Sequence, residues 1–410
     1  MTEPDTTEPD KTEPAMTEPA MTEPATTVRI FLPGRAEPLE VHPPGWAASY
    51  PPPVSRRAYA AAHVAARPEA GGGVAIDWDS TMRFREHLWA HGFSIAEAMD
   101  TAQRGMGLSW DQARELITRS AARSAKHRAA GRPAGLACGA GTDQLAEGRS
   151  YQLREIVHAY AEQLAFVEAT GSDVILMASR ALATSARTPR GYLHVYETLL
   201  AQASRPVILH WLGEAFDPAL RGYWGSTDFD SAADTVLELI ERAGGKVDGI
   251  KLSVLDAGKE VALRRRLPAG VRLYTGDDFN YAELIRGDEH GHSDALLGAF
   301  AAVTAPAAAA LHALDDGDSA SYDLTMNATL PLSRLIFEEP TYYYKVGVAF
   351  LAWLNGLQPH FAMIGELEAQ RPVEHLIRVF ELAAETGALT EPALAVSRMS
   401  ELLAARAAFS

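Results

Sequence analysis

The feature that most restricts this chain is a repeating alternation between short apolar runs and longer segments with helical periodicity. From about residue 56 the short runs are YAAAHVAA (59–66), FSIAEAMD (93–100), GLACGAG (135–141), DVILMAS (173–179), PVILHWL (206–212), DGIKLS (248–253), VRLYTGD (271–277) and DALLGAF (294–300). Runs this short and this continuously apolar read as strands covered on both faces. Between them lie amphipathic stretches such as DSTMRFREHLWAHG, SWDQARELITRSAARSAKH, QLREIVHAYAEQLAFVEATG and SAADTVLELIERAGG. Several begin after Ser, Thr or Asp or end in Gly, which are ordinary helix boundaries. Strands that each lead into a helix imply a parallel sheet with helices outside it. Eight such units within roughly 280 residues favour closure, so the predicted fold is α/β, a (β/α)8 TIM barrel. No G-x-G-x-x-G or G-x-x-x-x-G-K-[ST] turn follows a strand, which weighs against a nucleotide-binding open sheet.

The flanks read differently. Thr-Glu-Pro recurs from Thr2, Thr7, Thr12, Thr17 and Thr22. Proline and acidic charge with few apolar side chains cannot repay the entropy of ordering, so residues 1–26 are predicted to be a disordered tail. Residues 27–55 contain TVRIFLPGRAEPLEVHPP, a hairpin pattern around a Pro-Gly turn, and then a proline-rich connector through Pro51, Pro52 and Pro53. The barrel is assigned to 56–340. Residues 341–410, with YYYKVGVAFLAWLNGL and RPVEHLIRVFELAAETG, are assigned to helices packed on the barrel or on a neighbouring subunit. The aromatic run from Tyr342 to Trp353 is a candidate interface, and a homo-oligomer is expected.

A net charge of -16 argues against nucleic acid or an anionic membrane as partner. Cys138 is the only cysteine, so no intrachain disulfide and no cysteine-based zinc site can form; on a glycine-rich strand it reads as a small core residue. No stretch approaches the roughly 20 apolar residues needed to span a bilayer, and the N-terminal residues lack a leader pattern. The expected location is cytoplasmic.

In such a barrel the active site lies where the strands end and the following loops converge. The polar residues there are His63, Glu97, Asp100, Thr142, Asp143, Ser179, Arg180, His210, Lys251, Ser253, Thr275, Asp277 and Asp278. Alternation sharpens the reading for the sixth strand. Ile250 and Leu252 share one face and suit the helix-covered outside, whereas Gly249, Lys251 and Ser253 share the other and point inward. An enclosed lysine sheds its proton readily, and a free amine can attack a ketone to form an iminium, the chemistry of class I aldolases. His210 ends the fifth strand, where an imidazole can move protons near neutral pH. Of the two aspartates after the seventh strand, Asp277 is taken as the one facing the mouth, with helix capping or a turn accounting for the other. His63 and Glu97 are candidate substrate contacts, although Glu97 and Asp100, three residues apart on one strand, cannot share a face, and which of them points inward is left open. The loop DEHGHSD (288–294) has the composition of a metal site, but two histidines in a charged loop are more often solvated, and no metal is assigned there.

The residues GIKLS, followed some twenty positions later by LYTGDD, resemble the sixth and seventh strands of the dihydrodipicolinate synthase and N-acetylneuraminate lyase superfamily. IDWDSTMRFREHLWAHGFSIAEAMD is similar to that family's first helix and second strand, and VILHWLG to its fifth strand; the resemblance covers most of residues 56–355. It implies a divergent branch in which Lys251 forms the Schiff base. The family's Gly-Thr-Thr-Gly-Glu turn after strand two, which holds a keto-acid carboxylate, is replaced here by AMDTAQRGMG, so the resemblance offers Thr101 for one threonine and Arg104 for the anion contact. The family's strand-five tyrosine aligns with His210, a changed acid-base group that points to a changed substrate.

The leading expectation is therefore a Schiff-base-forming lyase or aldolase acting on a small oxo acid or ketosugar. Lys251 is the nucleophile and His210 the proton shuttle; Thr101, Arg104, His63, Glu97, Ser253 and Asp277 contact substrate. No cofactor is required beyond the lysine imine. The alternative is a metal-dependent sugar isomerase, epimerase or hydrolase, with His63, Glu97, His210 and Asp277 around a divalent ion. A third reading is a barrel that senses a small molecule without turnover.

Overall fold

In the computed structural model, which describes residue 1 and residues 27–407, the eight apolar runs form parallel strands closed into one barrel. They are β1 (Ala58–Ala61), β2 (Ser94–Glu97), β3 (Leu136–Ala140), β4 (Asp173–Leu176), β5 (Val207–Leu212), β6 (Val247–Ser253), β7 (Arg272–Thr275) and β8 (Asp294–Leu297). Each pairs with its neighbours in sequence, and the ring closes where Ala295 and Leu297 of β8 register with Ala58 and Ala60 of β1. The Thr-Glu-Pro repeat lies outside the described residues.

The strands close because each carries two apolar faces. Ile95, Cys138, Leu209, Ile250, Leu252, Leu273 and Leu297 belong to the layer between sheet and helices. Tyr59, Ala61, Ala96, Ala137, Ile175, Ile208, Tyr274 and Leu296 form a separate buried cluster inside the ring. Each large aliphatic side chain in the outer layer contributes about 1.5–3 kcal/mol when fully buried. Inside, Tyr59 and Tyr274 meet edge to face at 5.9 Å among small alanines. Gly249 makes room for that pair, since a Cβ there would stand 2.7 Å from Tyr274 Cε2. The middle of the interior is thus a packed plug with polar groups at both ends: the Tyr274 hydroxyl donates to Asp248 at 2.6 Å where the strands start, and Lys251 and His210 lie where they finish.

Helix starts follow the sequence signals. Ser109 and Gln112 form a reciprocal capping box before helix Trp110–Ala129, and the Asp77, Asp228 and Asp256 carboxylates each accept a backbone N–H from the first turn of theirs. The anticipated hairpin pairs Val28–Ile30 with Leu39–Val41. The first apolar run behaves differently from expectation. It leaves the barrel at Ala61, and Ala66–Pro68 pairs with Val74–Ile76 in a second hairpin whose tip uses Gly72 and Gly73 at φ 89 and 83. An alanine-rich run carries little signal for where a strand stops, because alanine fits strand, turn and core alike.

Helices Lys345–Leu354, Val373–Glu385 and Pro392–Ala407 follow the barrel. The first of these corrects the expectation of a free aromatic interface. All ten of its residues are buried, against helices Ala299–Ala302, Ser319–Ile336, Val373–Glu385 and Pro392–Ala407 of the same chain. Among the described residues no helix is long and apolar enough to cross a membrane.

Candidate active site

Lys251 faces the interior of the barrel, as the alternation of β6 requires. Its Cα registers with His210 on β5 and Tyr274 on β7, both inward residues. The residue is only 7% exposed, and its Nζ has neither a hydrogen bond nor an ion pair among the described residues. Burial lowers its pKa from the ordinary lysine value, opposed by the negative charges of Asp100 and Asp278. Space for the side chain comes from Gly276, just past β7. A Cβ at that position would stand 2.8 Å from Lys251 Cε and 2.2 Å from Ser253 Oγ. The glycine of TGDD is thus a spatial requirement of the lysine and the serine.

Beside the lysine, His210 is fully buried, with Nε2 3.4 Å from Ser253 Oγ. Its Nδ1 has no hydrogen-bond partner among the described residues and lies 3.9 Å from Asp100 Oδ2. Burial first, and then the Lys251 charge, hold the imidazole pKa well below its usual value, so the ring is neutral near pH 7. The second acid at this point is Asp278. It accepts the Ala299 backbone N–H at 2.9 Å, and burial pushes its pKa up to about 7, with that N–H and Lys251 pulling it back.

Asp277 does not face the mouth. Its carboxylate accepts Phe279 N, Asn280 N and Asn280 Nδ2 at 2.9, 3.1 and 2.9 Å, closing the turn after β7. Inward Tyr274, Gly276 and Asp278 alternate with outward Thr275 and Asp277, and Thr275 bonds to Glu260 on the helix side. The parity that placed Lys251 therefore selects Asp278.

Other expected contacts are elsewhere. Glu97 alternates outward from Ala96 and is fully buried between sheet and helices, where Arg85 Nε and Nη2 grip its carboxylate at 2.9 and 2.7 Å and Ser120 also donates to it. It has no reach into the mouth. His63 follows the end of β1; its Nε2 bonds Gln358 Oε1 at 2.7 Å and its ring meets Phe84 edge to face, while burial lowers its pKa to about 4. The metal reading needs His63, Glu97, His210 and Asp277 around one point, and these side chains diverge. The described residues contain no cluster of three or more His, Cys, Asp or Glu suited to a metal, and in DEHGHSD the Asp288 carboxylate is bound by Arg264 and Arg265.

After β2 the chain turns through Ala98, at φ 52, and brings Asp100 and Thr101 to the mouth. Left-handed backbone costs a non-glycine residue about 1–2 kcal/mol, so something must hold this turn. Arg104 does so. Its Nη1 donates to Ala98 O and Gly139 O at 3.2 and 3.0 Å, Nη2 to Gln163 Oε1 at 2.7 Å, and Nε and Nη2 to the Asp143 carboxylate. All five guanidinium hydrogens are thereby engaged, and none remains for a substrate anion. Thr101 shares a 2.7 Å hydroxyl contact with Tyr344.

A cavity of about 550 Å³ opens above β2 to β5, with Asp100, Thr142, Ser179, Phe216, Asp217 and Lys345 on its wall. Thr142 and Ser179 join their hydroxyls at 2.6 Å there. Lys251 and His210 are not on this wall; Asp100 is, and its carboxylate lies 3.9 Å from His210 Nδ1 and acts on Lys251 through its charge. Sequence reading missed Tyr344 and Lys345, although a lone charge inside YYYKVGVAFLAWL was a visible signal.

The model of the family described as "Protein of unknown function (DUF993)" matches residues 34–407, and the chain belongs to that family. No curated protein matches the sequence. Among solved structures, the chain is similar to dihydrodipicolinate synthase from Thermotoga maritima, at 14% identity and a TM-score of 0.60 over 82% of this chain and 100% of that one. A putative dihydrodipicolinate synthetase from Pseudomonas aeruginosa gives 16% identity and 0.59 over 80% and 99%. The synthase from Aquifex aeolicus gives 15% and 0.58 over 80% and 98%. The resemblance read from β6 and β7 thus holds for the fold, and the chain is a divergent member of that architecture.

Proposed function

We propose that the protein is a Schiff-base-forming lyase or aldolase acting on a small oxo acid or ketosugar, with Lys251 as nucleophile. The observation that carries this reading is a buried, inward-facing amine with no hydrogen-bond or ion-pair partner among the described residues, next to a neutral histidine. In the uncharged form Nζ attacks the substrate carbonyl carbon and the N–C bond forms while the carbonyl oxygen takes up a proton. The nitrogen gives up one proton, the oxygen takes a second and leaves as water, and an iminium remains. When an adjacent carbon–carbon bond then breaks, its electron pair flows into the iminium to give an enamine, and the departing fragment leaves as a carbonyl compound as its hydroxyl gives up a proton. For a carbon–oxygen bond the adjacent C–H proton is lost first, and the enamine electrons expel the oxygen, which leaves with its bonding pair and a proton. Protonation of the enamine carbon and addition of water release product and free the amine.

Those steps need groups that give and take protons. His210, neutral and 3.4 Å from Ser253 Oγ, suits a relay through that hydroxyl. Asp278, with its pKa at about 7, can serve either as acid or as base at working pH. The divergence of His63, Glu97 and Asp277 from the mouth favours this reading over a metal-centred isomerase.

The test is reductive trapping. Incubation with a panel of oxo acids and ketosugars in the presence of borohydride should add the mass of the reduced substrate to the peptide containing Lys251. Absence of an adduct with every carbonyl compound, or an adduct on another lysine, would overturn the assignment.

A further inference from the structure

The cavity wall carries a second buried lysine that the chemistry above does not use. Lys345 opens helix Lys345–Leu354 and is 3% exposed. Its Nζ donates to Tyr342 O at 2.9 Å and to Met106 Sδ at 3.5 Å, and lies 4.5 Å from the centre of the Tyr344 ring. An ammonium has three hydrogens, so one is left without a partner among the described residues.

The other cations on the same wall differ. Arg104 is neutralised by Asp143, and Arg180 is paired with both Asp217 and Glu147. Arg149 stacks on Tyr151. Lys345 has no carboxylate within ion-pair distance among the described residues, although its pKa is pulled up by the more distant Asp100 and Asp217 against a burial that brings it to about 8. A buried cation without a counter-ion is costly, and an anion delivered by a ligand would relieve that cost.

We propose that Lys345 is a specificity-determining residue that binds an anionic group of the substrate, carboxylate or phosphate, remote from the carbonyl captured by Lys251. The separation follows from placement: Lys345 is on the wall of the cavity and Lys251 is not, while Asp100, on that same wall, acts on both lysines through its charge. At about 550 Å³ the cavity is within the range of roughly 300–1,000 Å³ that takes whole small ligands, well beyond a three-carbon unit. Arg104 cannot serve as this anchor, because its donors are all engaged. The proposal rests on the Schiff-base reading for the reacting carbonyl.

The test compares matched carbonyl compounds in the borohydride reaction on the full chain. One arm uses 4-oxopentanoate against 5-hydroxypentan-2-one, the other dihydroxyacetone phosphate against dihydroxyacetone. In at least one arm the anionic member should label Lys251 at about tenfold lower concentration than its neutral partner, the size expected of one charge-assisted hydrogen bond. Lys345→Met, which keeps the side-chain volume, should bring the two within about twofold while labelling by the neutral compound is unchanged. Lys345→Arg should keep part of the preference, and a melting curve of each variant verifies folding. Equal labelling of both members in both arms by the native protein, or a preference that survives Lys345→Met, would overturn the anchor. If the native protein is labelled by nothing, the Schiff-base reading fails and the anchor is judged by calorimetry with 4-hydroxypentanoate and glycerol 3-phosphate, which cannot form an imine. Binding weakened about tenfold by Lys345→Met supports it, and no binding, or binding unaltered by the substitution, overturns it.

Discussion

Above β5 to β7 and above β2 to β4 the barrel mouth holds its charges in opposite ways. On the first side, among the described residues, Lys251 has no bonded partner, His210 leaves Nδ1 unbonded, and the Asp278 carboxylate accepts a single backbone N–H. On the second, Arg104 engages every donor it has, with Asp143 and Gln163 completing the set, and Arg180 is clamped between Asp217 and Glu147. Both sides are rich in ionisable groups. The difference teaches that density of charge does not identify the reactive part of a site. Apart from Lys345, the buried charges of the wall are satisfied and hold the strained Ala98 turn, whereas chemistry falls to groups whose burial is left uncompensated: Lys251 and Asp278, whose pKa values move toward neutrality, and His210, which burial keeps neutral.

Substitutions that reverse this contrast should have effects of very different size. Lys251→Met should abolish both turnover and borohydride labelling while the protein still folds. It should also stabilise. Burial lowers the lysine pKa, so between the folded value and 10.5 the unfolded chain binds more protons, and stability rises with pH across that window. The penalty is greatest below the window. The variant should therefore melt higher than the native protein at neutral pH and lose that part of the pH slope. A lower melting point would show that the amine is stabilised by partners and does not fit the role given to it.

His210→Gln comes next. Removal of a positioned acid-base group typically costs 10²–10⁴ in rate, so kcat should fall by about that factor, with labelling of Lys251 retained. Loss of labelling together with kcat would move the histidine from proton transfer to amine positioning.

Glu97→Ala examines the paired architecture. It leaves Arg85 as an uncompensated buried charge and should cost about 3–5 kcal/mol in denaturant unfolding, with KM unchanged in whatever fraction remains folded. A rise in KM without loss of stability would return Glu97 to the substrate.

Asp278→Asn should act through pH. A carboxyl raised from 3.8 to about 7 by burial favours the folded state below its unfolded pKa, and that contribution is lost as pH rises through 7. Melting temperature followed from pH 4 to 8 should fall in the native protein and stay flatter in the variant, and the limb of the rate profile near pH 7 should shift. Asp277→Asn is the mildest change. It weakens a turn by about 1 kcal/mol and leaves kcat unaltered.

These contrasts also mark how far the site was legible in the amino-acid order. Parity along β6 placed Lys251 correctly because Ile250 and Leu252 must face the helices. The same rule, extended through Tyr274 and Gly276, selects Asp278 over Asp277, and applied to Ile95 and Ala96 it turns Glu97 outward. Those two misplacements were failures to extend a local rule. Arg104 is another matter, since nothing near it in sequence announces that Asp143, Gln163 and two carbonyls converge on its guanidinium. Lys345 is likewise some hundred residues from Lys251 along the chain.

What the sequence alone determined is the alternation of eight buried strands with their helices, the caps that start those helices, and the inward direction of Lys251. These depend on periodicity, which acts between residues a few positions apart. The tertiary structure decided which buried charges are partnered and which are left bare, and hence where an anion can be met. Electrostatic compensation depends on distance in space, and ring closure sets that distance with little regard for separation along the chain.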